Sequence, residues 1–114
     1  MRRDLLEAIR CALFDLGIPP NLLGFKYIEL AILICIEDED DHNGHLKILY
    51  DEISKIYETS PGSVERCIRN AISMCWMQEK NKTIDYIFAN MKGRPPTNSQ
   101  FLTQMYYHIQ RCRN

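Results

Sequence analysis

Four side chains within six consecutive positions, Glu65, Arg66, Arg69 and Asn70, carry the functional groups that read base-pair edges. Arginine can donate two hydrogen bonds to guanine O6 and N7, asparagine can pair with adenine, and glutamate can accept from cytosine N4 or orient an arginine. At spacings of three and four residues these groups lie side by side on a helix. The bland alternative is a solvated helix face with a Glu65 to Arg69 ion pair at i, i+4, which contributes only about 0.2–0.5 kcal/mol.

Such chemistry requires a helix that is apolar on its other side. From Pro61 onward, at about 100° per residue, Val64, Cys67, Ile68, Ala71, Ile72 and Cys75 fall together. Ser63, Arg66, Arg69, Asn70 and Ser73 fall opposite, with Glu65 at the boundary and Trp76 extending the apolar side. Ser60 can cap this helix and Pro61 suits its first position. Upstream, Leu49, Tyr50, Ile53, Ile56 and Tyr57 keep helical period from about Leu46 through Glu58. A helix, an abrupt stop at Thr59-Ser60 and a second helix make a helix-turn-helix, with Ile53, Ser54, Tyr57, Val64 and Cys67 or Ile68 as packing positions. Glu58 stands where many such turns carry glycine in a left-handed conformation, at a cost of about 1 kcal/mol.

The remaining elements also read as helices. Leu5, Leu6, Ile9, Ala12, Leu13 and Leu16 form one helical face, ended by Gly17 and the extended Pro19-Pro20. Phe25 to Ile36 is apolar all round except for Lys26 and Glu29, which predicts a central buried helix rather than a strand over Leu30 to Ile36. Glu37 to Gly44 reads as a polar loop with five consecutive acids. Thr83 to Met91 predicts a short helix, Gly93-Arg94-Pro95-Pro96 a break, and Thr97 or Asn98 the cap of a last helix carrying Phe101, Leu102, Met105, Tyr106 and Ile109. The expectation is one all-α domain over residues 1–114, with about six helices.

The net charge of −1 conceals an asymmetry: residues 1–60 hold 6 basic and 12 acidic side chains, residues 61–114 hold 8 and 3. A basic C-terminal half suits a polyanion, while the acid run Glu37 to Asp41 should point away from one. No apolar run approaches the roughly 20 residues of a membrane span, and no signal-peptide pattern opens the chain. Five cysteines, none closer than eight residues apart, supply neither a disulfide framework nor a C-x-x-C motif, so a cytoplasmic protein without membrane contact is expected. Glycines at 17, 24, 44, 62 and 93 allow neither G-x-G-x-x-G nor G-x-x-x-x-G-K, and no G-x-S-x-G or H-E-x-x-H occurs. Glu39, Asp41, Asn43 and Gly44 mimic the start of a calcium loop, but Tyr50 occupies its twelfth position. His42-x-x-His45 reads as solvated loop rather than a metal site. Thus no catalytic residue, cofactor or metal is expected.

Ile18-Pro19 with Leu23-Gly24-Phe25-Lys26-Tyr27, Leu49-Tyr50 through Ser60-Pro61, Val64-Glu65-Arg66 with Ile68-Arg69 and Ala71-Ile72, Trp76, and Pro96-Thr97-Asn98-Ser99-Gln100-Phe101 follow in order along nearly the whole chain. Together they closely resemble the effector domain of the stage-zero sporulation response regulator family. The resemblance implies six helices, binding to short TGTCGAA-type promoter boxes often in tandem, and control of transcription. It also implies that Glu65, Arg66, Arg69 and Asn70 face the major groove and that Gln78 to Asn90 touches an RNA polymerase sigma subunit. Ser63 stands where that family usually carries a basic side chain, and Asn70 where it often carries histidine. No receiver domain precedes Arg2, as expected of an excised effector fragment or a stand-alone relative.

The expected function is therefore sequence-specific binding of double-stranded promoter DNA by a transcriptional regulator, through Ser60, Ser63, Glu65, Arg66, Arg69 and Asn70. Self-association on tandem sites would pass through the last helix around Tyr106, Tyr107 and Arg111, because one short box buries too little surface to select a promoter. The alternative is a helical protein-interaction module that has lost DNA binding.

Overall fold

A computed structural model describes residues 2–37, 46–78, 82–91 and 94–113. Among these residues six α-helices follow one another: α1 (Arg2–Leu16), α2 (Leu23–Glu37), α3 (Leu46–Ile56), α4 (Pro61–Trp76), α5 (Lys82–Ile87) and α6 (Asn98–Arg113), with a 3₁₀ turn at Ala89–Met91. The described residues contain no strand, so the fold is all-α. The acid run beyond Glu37 and the histidines at 42 and 45 lie outside the described residues.

The most apolar helix is the centre. Phe25, Tyr27, Ile28, Ala31, Ile32 and Leu33 of α2 are all buried, and α2 packs against α1, α3, α4 and α6. Burying each large aliphatic side chain contributes about 1.5–3 kcal/mol, so a helix covered on most sides anchors the others. Arg10 of α1 is tied to Glu29 of α2 by an ion pair at the rim of this packing.

Helix ends obey local chemistry. At the end of α1, Gly17 has φ 85°, and the N–H groups of Gly17 and Ile18 donate to the carbonyls of Phe14 and Leu13 at 2.9 and 3.2 Å. These are the two bonds of a Schellman motif, closed by buried Leu13 and Ile18. At the end of α3 the Thr59 N–H donates to the Ser54 carbonyl at 2.9 Å, and Glu58 takes the left-handed place with φ 53°. The helix expected through Glu58 thus stops at Ile56, because this cap reverses the chain two residues earlier. Glu58→Gly is expected to stabilise the fold by about 1 kcal/mol, read from the urea midpoint. An unchanged or lowered midpoint would mean that the turn carries no strain.

The segment expected as one helix over Thr83 to Met91 divides at Phe88. Ile87 and Phe88 are adjacent and both buried, and the Met91 N–H donates to the Phe88 carbonyl at 2.9 Å. Tightening to three residues per turn keeps Phe88 and partly buried Met91 on the core side together. Thr97, rather than Asn98, caps α6: the Gln100 N–H donates to Thr97 Oγ1 at 3.1 Å while Gln100 Oε1 accepts from the Thr97 N–H at 2.9 Å.

Candidate nucleic-acid interface

The start of α4 is set by its own residues. Ser60 is extended (φ −100°, ψ 152°), its Oγ accepts from the Ser63 N–H at 3.1 Å, and Pro61 takes the first helical position. Ser60 is exposed and Ser63 half-buried. The inner face buries Val64, Ile68, Ala71, Ile72 and Cys75. The outer face exposes Arg66, Arg69 and Asn70, with Glu65 half-buried beside them.

The four groups are not equivalent. Glu65 Oε2 accepts from Arg69 Nη1 across one helical turn, with the Arg69 side chain largely hydrated and that of Glu65 half-buried. An exposed i, i+4 pair contributes little to stability, so its value is to hold one arginine outward. Arg66 makes no hydrogen bond or ion pair with the described residues, and its Nη1 lies back along the helix, 3.7 Å from where a Cβ at Gly62 would stand. Asn70 Nδ2 meets the Met74 sulfur at 3.8 Å, a weak contact that leaves its carboxamide accessible.

Beneath this face lies a polar contact that sequence pattern alone does not reveal. Asn98, at the first residue of α6, is 8% exposed, and its Nδ2 donates to Tyr50 Oη of α3 at 2.9 Å and to the Glu65 carbonyl of α4 at 3.1 Å. Burial pushes the Tyr50 hydroxyl pKa above its usual value, partly offset by the Asn98 hydrogen bond, and the charges of Glu65 and Arg69 act on it in opposite senses. Tyr50 reads in sequence as one more apolar stripe residue, and Asn98 as a cap. The one available signal is a second polar residue beside a threonine that already suffices as cap.

The far end of α4 is tied to α1. Cys75 Sγ donates to the Leu16 carbonyl at 3.1 Å, and Gln78 Nε2 to the Gly17 carbonyl at 2.8 Å. Burial pushes the Cys75 thiol up to about 11, so it is a protonated donor rather than a nucleophile. Trp76 is partly buried and packs edge-on against Phe88 at 5.0 Å and against Phe101 at 6.2 Å, at the border of the core.

Other expected surfaces are partly visible. Within the segment 78–90, residues 79–81 lie outside the described residues, while Lys82, Asp85 and Tyr86 are exposed. On α6, Tyr106 is half-buried against the core with its ring 5.3 Å from that of Tyr107, whereas Tyr107 and Arg111 are exposed. No group of three metal-ligating side chains occurs among the described residues, and none of their helices is long and apolar enough to cross a membrane.

The family model described as sporulation initiation factor Spo0A C terminal matches residues 9–109, a span containing the turn, α4 and the Asn98 contact.

Proposed function

Since the chain belongs to the sporulation initiation factor Spo0A C-terminal family, whose members are DNA-binding regulator domains and not enzymes, we propose that it binds promoter DNA sequence-specifically through α4. The observation that carries this reading is the division of α4 into a fully packed inner face and an outer face presenting Arg66, Arg69 and Asn70 together. In it α4 enters the major groove, Arg66 and Arg69 donate to guanines, Asn70 pairs with adenine, and Glu65 orients Arg69 or accepts from cytosine. Ser60 and Ser63 approach the backbone at the helix start. The whole chain acts as one domain, in the cytoplasm, as a transcriptional regulator. Neighbouring copies pair on tandem boxes through Tyr106, Tyr107 and Arg111, and the 78–90 segment meets a polymerase sigma subunit.

The test is a duplex titration at several salt concentrations, with a TGTCGAA-type box and a scrambled duplex. Arg66→Ala and Arg69→Ala are each expected to cost about 1–3 kcal/mol on the box and less on the scrambled duplex. Equal losses on both would reduce the arginines to phosphate contacts, and absence of any salt-dependent affinity would favour a protein-interaction module. Two boxes moved apart by half a helical turn should lose the affinity gained by pairing; unchanged affinity would remove the tandem contact. Tyr86→Ala should lower activated transcription at unchanged DNA affinity, and unchanged transcription would remove the sigma contact.

A further inference from the structure

Asn98 and Ser54 are the two buried polar residues among the described positions. Ser54 spends its hydroxyl on its own helix, donating to the Asp51 carbonyl at 2.7 Å. Asn98 spends both hydrogens of its amide group on other helices. Its orientation follows from chemistry, because a backbone carbonyl only accepts and so the Nδ2 end must face Glu65. The reciprocal Thr97 and Gln100 bonds hold its backbone in the first turn of α6, and Tyr50 is itself buried in α3.

This arrangement differs in kind from the packing around it. Apolar burial is non-directional and fixes which face of a helix is covered, whereas a directional bond defines its angle about the axis more finely. Hydrogen bonds weaken steeply with misalignment, so the one from Asn98 to the Glu65 carbonyl resists rotation of α4, while the one to Tyr50 Oη fixes Asn98 against α3. The turn they hold carries Glu65, whose carboxylate is bonded to Arg69. A rotation of roughly 10–20° already exceeds what a positioned functional group tolerates.

We propose that Asn98 and Tyr50 are positioning residues for base readout, setting the rotation of α4 through the Glu65 carbonyl and thereby the direction of the Glu65–Arg69 pair. The inference rests on α4 being the base-reading helix. Both residues are too buried to touch DNA themselves, so they act through the side chains that α4 carries. Arg66 stands on the same turn as Glu65 and rotates with it, so its direction is set by the same bond.

The experiment measures affinities of the wild type, Tyr50→Phe and Asn98→Ala for a TGTCGAA-type box, for each of its single-base variants and for a scrambled duplex. All are measured where circular dichroism shows the variant folded. Tyr50→Phe keeps the ring and removes the acceptor, so it carries the test if Asn98→Ala does not fold. Each change is expected to lower discrimination about tenfold at the base pairs where Arg66→Ala or Arg69→Ala lowers it, the size of one degraded bidentate contact. Affinity for the scrambled duplex and the salt slope should stay unchanged. Combined with Arg66→Ala and Arg69→Ala together, neither change should cost further discrimination at the base pairs those arginines read. A uniform loss across all positions, a changed salt slope, or a loss at those base pairs that persists without both arginines would overturn the positioning role while leaving DNA reading intact. A wild type that prefers the box to no other duplex would overturn both.

Discussion

Gly24→Ala is expected to destabilise the protein by about 3 kcal/mol, the upper part of the range for forcing an extra carbon into a packed core. A Cβ at Gly24 would stand 2.3 Å from the Cys67 carbonyl oxygen and 2.6 Å from Ala71 Cβ. Neither neighbour can yield: one is backbone, the other is the first atom of its side chain. The two helices would have to separate, and this is the most extensive helix contact in the fold. Since total stability is typically about 5–15 kcal/mol, such a loss is visible directly as a shift of the urea midpoint. Gly62→Ala is the control, because its Cβ would meet only the tip of Arg66 at 3.7 Å. Alanine there should be neutral or stabilising by up to about 1 kcal/mol. If the two replacements behaved alike, the close approach of α2 to α4 would be wrong. Cys67 and Ala71 belong to α4, so the same contact sets how deeply α4 sits in the domain.

Phe101→Ala is expected to cost about 4 kcal/mol, within the range for deleting a large buried aromatic. Phe101 is fully buried, stacked on Phe88 with centroids 5.4 Å apart and planes 9° from parallel, and edge-on to Trp76. The ring cluster joins the C-terminal end of α4, the segment around the 3₁₀ turn and α6, so its removal loosens three elements together. Part of the loss, about 0.5–1.5 kcal/mol per pair, belongs to ring geometry, and Phe101→Leu should retain most of the rest. Trp76 is the one tryptophan of the chain, so its emission reports on the same site and should shift to the red. A loss below about 1.5 kcal/mol with unchanged emission would show that the cavity collapses without consequence.

Much of this protein is legible from neighbours in sequence. The faces of α1, α3, α4 and α6, the Ser60-Pro61 start of α4 and the Gly17 stop of α1 arise from interactions within one helical turn, which residue type and spacing specify directly. Even the left-handed Glu58 follows from the short distance between a helix end and the next cap. The outer face of α4, with Arg66, Arg69 and Asn70 exposed, follows from the position of Val64, Ile68 and Ala71. What tertiary structure alone decided involves residues far apart in the chain. Asn98 meets Tyr50 across 48 positions and Cys75 meets the Leu16 carbonyl across 59. Gly24 matters because of Cys67 and Ala71, and the break at Phe88 reflects the place of Phe101. Periodicity tells a helix which side to bury, because that depends on its own residues. It does not tell a buried polar group which partner completes it or a glycine which backbone comes close, because those depend on how the other helices return.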